Sequence, residues 1–290
     1  VGGSVVIENR FLFPQQALDT LEQTEATGLS GVPSTFAILL NRSNFSSRVF
    51  PHLRYVTQAG GAMAPELQRR LIECLPGKQI FIMYGATEAS ARLAYLDPAE
   101  LPRKIGSIGK PIPNVELRVL REDGTEADIN EVGELVARGA NIMEGYWNDP
   151  EETAAVLSPL GFHTGDLGKR DGENFLYVVG RKREMIKSGA HRISPKEIEE
   201  ALAEHPQVHE AAVIGVPDEI LGEAISAFIS PRSNEKPTAE DLINWCKKRL
   251  PSYKVPGTLH VLRELQRSAS GKIDKLLLAR QYSRATPQGV

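Results

Sequence analysis

Residues 53–90 read LRYVTQAGGAMAPELQRRLIECLPGKQIFIMYGATEAS. The stretch opens on a strand-like run and drops into a turn of small residues, AGGA at 59–62. In the segment 65–75, Leu67, Leu71 and Leu75 recur at helical spacing, and Pro76-Gly77 stops the helix. QIFIM (79–83) is a second strand, and it ends in the polar turn YGATEAS, 84–90. Strand, helix and strand in succession predict an α/β layer.

The same alternation extends upstream. SVVI (4–7) reads as a strand, and PQQALDTLEQTEA (14–26) as a helix with proline in its first turn. Downstream the texture changes. VELRVL, GELVARG and FLYVVG are short strands between Gly, Asp and Asn turns. Helices return after about residue 184. Ser194-Pro195-Lys196-Glu197 has capping-box spacing, VHEAAVIGV and AISAFIS are strands, and 238–250 is a helix started by Thr238. The fold class is therefore α/β, in three segments: an α/β region over 1–104, a β-rich region over 105–182 and a small α+β unit over 183–290.

Bulk properties narrow the function classes. The chain has 290 residues, a net charge of −3, 41% hydrophobic and 24% charged residues, ordinary values for a globular protein. Nothing draws it as a whole to nucleic acid. No apolar run is long enough to span a bilayer, and no signal-peptide pattern is present. Cys74 and Cys246 stand far apart with no metal-ligand spacing, which fits a reducing, cytoplasmic compartment. The opening VGGSVVIENRF lacks an initiator methionine and reads as the middle of a domain, as in a fragment or a processed chain.

Four polar clusters could carry chemistry. AGGA and YGATE both follow strands, where open α/β sheets bind ligands. Their glycines admit close approach to the backbone, the tyrosine offers a flat face, and the glutamate offers a hard oxygen for magnesium. FHTGDLG (162–168) holds an aspartate able to accept from a diol such as ribose. GRKREMIKSGAHRISPKEIEEAL (180–202) is basic, with Arg192 just before a helix N-terminus, where anions are favoured. SASGKIDK (268–275) sets a lysine beside glycine. Read singly, the turns, the aspartate and the lysine are better explained as plain turns, a self-capping aspartate and an exposed lysine, and the basic stretch equally as a solvated linker.

In this order, however, the chain resembles the AMP-forming acyl-CoA synthetases of the adenylate-forming superfamily, which also holds peptide-synthetase adenylation domains and firefly luciferase. GVPSTFAILL, GGAMAPEL, YGATEAS, GELVARGANIMEGYWNDPEET, FHTGDLG, GRKREMIKSGAHRISPKEIE, VIGVPDEILGEAISAFI, YKVPG and SASGKIDK carry the likeness. The resemblance implies that 1–182 is part of the large adenylation domain and 183–290 a mobile C-terminal lobe. It implies that Tyr84 lies against adenine and that Gly85 also binds the nucleotide, with Gly60, Gly61 and Ala62 bordering the nucleotide and acyl sites. Thr87 would meet the α-phosphate and Glu88 would help hold Mg2+. Asp166, helped by Arg181, would take the ribose hydroxyls, and Arg192 would meet phosphate. Arg183 would be the hinge, where many relatives have aspartate or lysine. Lys187, Gly189 and Ala190 would line the tunnel for CoA. Pro33, Ser34 and Met83 would face the acid, Met83 narrowing or shortening that pocket. Lys272 would bridge carboxylate and phosphate during adenylation.

Two features depart from the family pattern. The glycine-rich phosphate loop is absent from the sequence and is expected upstream of Val1. The tunnel loop, usually Gly-Gly, reads Gly189-Ala190. The implied reaction joins a carboxylic acid to ATP as acyl-AMP and then to CoA. Catalysis would rest on Lys272, Thr87 and Glu88, which neutralise and position the anions. Two other readings stand beside it: loading of a phosphopantetheinyl carrier instead of CoA, and a noncatalytic nucleotide-binding fragment.

Overall fold

The computed structural model describes residues 2–8, 13–232, 237–268 and 273–282. The chain forms two compact units, Val1–Val178 and Val179–Val290. Among the described residues, five of the helices begin on a proline: Pro14, Pro33, Pro65, Pro150 and Pro195. The ring presets φ, and its missing N–H is one a helix leaves unbonded at its start.

The first unit opens with α1 (Pro14–Gln23), β1 (Gly28–Gly31), α2 (Pro33–Arg42), β2 (Tyr55–Gln58), α3 (Pro65–Cys74), β3 (Gln79–Tyr84), β4 (Ala94–Leu96) and β5 (Lys110–Pro111). The strands form one sheet in the order β1-β2-β3-β4-β5. The first three are parallel, and β4 and β5 run antiparallel. Alternation along the strands sends Val56, Ile80 and Ile82 to one face, where they pack with Leu18, Phe36, Leu39 and Leu71 of the helices. Each such side chain contributes about 1.5–3 kcal/mol by leaving water. Tyr55, Thr57, Phe81 and Met83 point to the other face and stay half-buried.

A second, antiparallel sheet follows, built from β6 (Val115–Leu120), β7 (Gly133–Gly139), α4 (Pro150–Val156), β8 (Leu157–Ser158), β9 (Gly161–Arg170) and β10 (Leu176–Arg181). Its order is β10-β9-β7-β6, with β8 on β9. Its inner residues Leu117, Val119, Leu135 and Leu176 pack with Ala89, Leu93 and Ala94, so this sheet supports the segment that follows β3.

The second unit holds β11 (Ile186–Ser188), β12 (His191–Ile193), α5 (Pro195–Ala203), β13 (Val208–Asp218), β14 (Gly222–Pro231), α6 (Ala239–Lys247), β15 (Thr258–Val261) and α7 (Lys275–Tyr282). The sheet order is β12-β11-β14-β13, with β15 parallel to β14. Ile198, Leu202, Leu242 and Cys246 from α5 and α6 cover one face. Leu278 of α7 packs with Ala212, Ile214 and Phe228 on the other.

Three local expectations are corrected. Residues 4–7 form no strand; Val5 and Ile7 are exposed, and no neighbouring strand among the described residues pairs with them. The capping box does not form. Ser194 Oγ donates to Val179 O at 2.6 Å, and Glu197 instead takes Lys254 Nζ at 2.7 and 2.6 Å. Burial of Ser194 explains the choice, because a buried hydroxyl must find an acceptor within reach. Thr238, by contrast, caps α6 as expected, accepting from Asp241 N at 3.1 Å. Finally, the basic stretch 180–202 is not a free linker. It contains the β11–β12 hairpin and the first turns of α5.

A buried cation ties the loop before β5 to the β9–β10 turn. Lys104 Nζ donates to Asp171 Oδ2 at 2.7 Å and to Glu173 Oε1 at 2.6 Å, and it lies 4.7 Å from the centre of the Phe175 ring. The hydrogen bond to Asp171, then that to Glu173, raises the lysine pKa. The bond from Lys104, seconded by Arg103, holds the Glu173 carboxyl below its usual range. Burial pushes Asp171 up, but the Lys104 bond and the backbone N–H groups of Phe175 and Glu173 outweigh it. Depressed carboxyls stabilise the fold above the ordinary carboxylate range, and that stabilisation is lost as pH falls through the folded values. Lys104→Met is therefore expected to lower the unfolding temperature at neutral pH and to flatten the loss of stability below about pH 4. Thermal unfolding of both proteins across pH 3–7 measures this; parallel curves would exclude the network as the origin.

Candidate nucleotide site at the ends of strands β2 and β3

The turn after β2 is Ala59-Gly60-Gly61-Ala62. Gly60 has φ +79°, a conformation open to glycine, and a Cβ there would lie 3.2 Å from Val32 Cγ1. A Cβ on Gly61 would lie 3.5 Å from Pro33 Cγ. The turn therefore rests on the start of α2, and Gly60, Gly61 and Ala62 are exposed beside half-buried Pro33 and Ser34. Gln58, fully buried, donates from Nε2 to Gly61 O at 2.7 Å and sets the height of the turn.

The turn after β3 is tighter. A Cβ on Gly85 would fall 2.3 Å from Ala91 O, so only glycine lets the chain fold back there. Ser90 and Ala91 both have positive φ, 48° and 69°, which costs free energy for residues with a Cβ. Asn141 offsets that cost. Its Nδ2 donates to Ala89 O at 3.0 Å and to Arg92 O at 2.9 Å, and its backbone carbonyl accepts from Ser90 Oγ at 3.0 Å. Met143 N donates to Glu88 O at 2.7 Å. Thr87 is left exposed and Glu88 half-buried at the open end of this turn.

Two long-range bonds join the end of β3 and its turn to β9 and to the loop after β7. Tyr84 Oη donates to Asp166 Oδ2 at 2.7 Å, across 82 residues of sequence. Tyr146 Oη donates to Glu88 Oε1 at 2.7 Å. Asp166 is buried, and it does not sit in a turn as its glycine neighbours suggest. Leu135 of β7 faces the extra residues Thr164–Asp166 of β9, so TGD is a bulge in the strand. Thr164 Oγ1 donates to Leu135 O at 2.8 Å and accepts from Asp166 N at 3.1 Å, and Gly165 takes φ +71°. The bulge aims the carboxylate back at Tyr84.

Among the described residues, no group of three or more His, Cys, Asp or Glu could hold a metal ion. Glu88 alone, half-buried with one oxygen taken by Tyr146, suits Mg2+, which binds through one or two carboxylates together with substrate phosphates.

In the second unit, Lys187 and Arg192 face each other across β11 and β12, both exposed. Between them Gly189 (φ +57°) and Ala190 form the exposed hairpin tip, with Gly189 N donating to Leu221 O at 2.8 Å. Arg181 and Arg183 are exposed at the start of this unit. Lys272 lies outside the described residues. Close to it in sequence, Lys275 is held by Glu199 at 2.8 Å and Glu184 at 3.3 Å, which ties α7 to the turn containing Arg183. Gln58, Asn141, Tyr146 and Lys275 were not singled out by sequence; each acts through a distant partner, and residue type alone carries no such signal.

The AMP-binding enzyme family matches residues 1–147, and the AMP-binding enzyme C-terminal domain matches 197–272. The chain belongs to the AMP-binding enzymes. It is 37% identical over 274 residues to an indoleacetate–CoA ligase of Aromatoleum aromaticum, covering 94% of this chain and 53% of that protein. Its fold is similar to the anthranilate CoA ligase AuaEII in complex with anthranoyl-AMP: TM-score 0.88, 27% identity, 98% of this chain and 55% of that one. It is also similar to the O-succinylbenzoate coenzyme A synthetase MenE of Bacillus subtilis in complex with ATP and magnesium, with TM-score 0.79 and 33% identity over 92% of this chain and 53% of that one. The chain spans about half the length of the curated relatives it matches.

Asn141→Ala is expected to cost about 1–3 kcal/mol, because it leaves two carbonyls of a strained turn without their donor. Denaturant unfolding measures the loss; a change within 0.5 kcal/mol, by the usual scale for neutral surface substitutions, would remove Asn141 as the clasp.

Proposed function

We propose that the protein containing this chain activates a carboxylic acid with ATP as acyl-AMP and transfers the acyl group to the thiol of CoA, in a reducing cytoplasmic compartment. The Tyr84–Asp166 hydrogen bond carries the reading, since it joins the residue expected against the base to the residue expected on the ribose. Family membership and similarity to CoA ligases support the same chemistry.

In the first half-reaction a carboxylate oxygen bonds to the α-phosphorus, the bond to the β-phosphate oxygen breaks, and pyrophosphate leaves. The barrier is bringing an anion to a polyanion, so positioning and charge neutralisation do most of the catalysis. Tyr84 and Gly85 hold the base, Asp166 the ribose with Arg181, and Thr87 the α-phosphate. The backbone turn Gly60–Ala62 lets the nucleotide approach closely. Glu88, oriented by Tyr146, would hold Mg2+, which supplies charge neutralisation at the phosphates. Lys272 bridges carboxylate and phosphate, and Arg192 meets phosphate. In the second half-reaction the thiol sulfur bonds to the acyl carbon, AMP leaves, and the thiol proton goes to solvent. Lys187, Gly189 and Ala190 line the thiol's approach, and the C-terminal lobe, 183–290, turns about Arg183 between the two steps. Pro33, Ser34 and Met83 face the acid.

The test uses the complete reading frame that encodes this chain. Lys272→Ala is expected to lower acid-dependent ATP–pyrophosphate exchange by a factor on the order of 100 or more, while thioester formation from synthetic acyl-AMP persists. Equal loss of both halves in a folded variant would refute the role given to Lys272. Ala190→Leu should do the reverse, impairing thioester formation and sparing exchange; unchanged thioester formation would take Ala190 out of the tunnel. Offering CoA and a phosphopantetheinyl carrier in parallel identifies the thiol acceptor.

A further inference from the structure

Arg92 stands apart among the arginines of the first unit. Arg48 meets Asp19, Arg103 meets Glu173, and Arg121 meets Glu131 and Asp128. Arg92 is half-buried, yet its guanidinium meets no carboxylate or carbonyl among the described residues. Nη1 lies against the thioether sulfur of Met83, and Nε is buried without an acceptor. Desolvation pulls the group's pKa down, but an arginine stays charged at neutral pH. A desolvated cation facing only a thioether is costly, and that cost is offset when an anion arrives.

The backbone beneath Arg92 is clamped. Its N–H donates to Ala89 O at 3.2 Å and its C=O accepts from Asn141 at 2.9 Å. The guanidinium is thus carried on the same pinned turn that presents Thr87 and Glu88. Its partner Met83 lies across from Tyr95 in the β3–β4 ladder, whereas Tyr84 lies across from Ala94. Met83 and Tyr84 therefore face opposite sides of the sheet. Tyr84 goes with Asp166, on the nucleotide side. Met83, with Arg92 against it, is on the face that holds Phe81, Tyr55 and Tyr95, whose rings neighbour one another at 6.4 and 6.2 Å. A phosphate bound beside Thr87 and Glu88 does not account for a cation on that other face.

We infer that Arg92 is a specificity-determining residue that pairs with a second carboxylate on the acid, so that the preferred substrates are dicarboxylic. The inference rests on the proposed adenylation of a carboxylic acid and on Met83 facing that acid. One carboxylate reacts at the α-phosphate; the other meets the planar fork of Arg92, which matches a carboxylate through paired N–H donors. A monocarboxylic acid of equal length leaves the half-buried guanidinium unpaired, and a site built to pair a polar group rejects the analogue that lacks it.

The test is acid-dependent ATP–pyrophosphate exchange without CoA, on the complete reading frame. It uses matched pairs of equal skeleton: straight-chain monoacids and α,ω-diacids from three to ten carbons, and aryl acids with and without a ring carboxylate. The wild type is expected to favour the diacid of its best pair by a factor on the order of 30 or more in kcat/KM. Arg92→Leu should reduce that ratio to near or below one, chiefly through KM for the diacid, and Arg92→Lys should restore part of it. A wild type that prefers monoacids overturns the inference while leaving adenylation standing, and needs no variant to fold. Equal loss on both members of a pair in a folded Arg92→Leu protein also overturns it. Exchange with no acid at all overturns the adenylation reading, and this inference with it.

Discussion

The candidate site depends on one clasp, the Asn141 amide holding the carbonyls of Ala89 and Arg92. The segment it holds reverses direction in a few residues, with Gly85 folded against Ala91 and two side-chain-bearing residues at positive φ. Such a turn does not keep its shape unaided. Because it is pinned from the far sheet, Thr87, Glu88 and Arg92 are all presented from one rigid piece of backbone. The bonds Tyr84–Asp166 and Tyr146–Glu88 use the same arrangement, linking the end of a mixed sheet to the antiparallel sheet and the loop that leaves it.

That arrangement divides labour across the sheet. Strand alternation puts Tyr84 and Met83 on opposite faces, so the side proposed for the nucleotide and the side proposed for the acid differ by a single residue step. The bulge at Thr164–Asp166 serves the first side. A regular strand would alternate past that point, whereas the bulge turns Asp166 toward the tyrosine hydroxyl. On the second unit, Lys275 bridges Glu184 and Glu199 and joins the last helix to the turn at Arg183. The thiol of Cys246, pushed up to about 11 by burial, packs as a small apolar group in this unit's core. Among the described residues, no helix is long and apolar enough to cross a membrane.

Much of the scaffold was legible in the residue order. The leucine spacing of α3, the apolar alternation of β3 and the prolines that open helices are local signals, and local physics is enough to act on them. The ordered set of polar clusters was legible as well, and it led to the AMP-binding family. What stayed hidden has a common cause. Ser194 has the spacing of a capping residue, but the Val179 carbonyl takes its hydroxyl. SVVI has the composition of a strand but meets no partner among the described residues, and a strand exists only as a pair. Tyr146 lies inside a stretch that resembles the family, yet its role follows only from meeting a glutamate 58 residues away.

The sequence alone determined the alternation of strands and helices, the positions where small residues must turn, and which polar residues stand at strand ends, because these follow from side-chain volume, backbone freedom and periodicity over a few residues. Only the tertiary structure decided that TGD is a bulge rather than a turn, that Asn141 clasps the turn after β3, that Tyr84 meets Asp166, and that Arg92 faces Met83 with no carboxylate among the described residues. Each of these is a contact between segments far apart in the chain, and its energy exists only once the sheets and the turn have brought both partners to hydrogen-bonding or van der Waals distance.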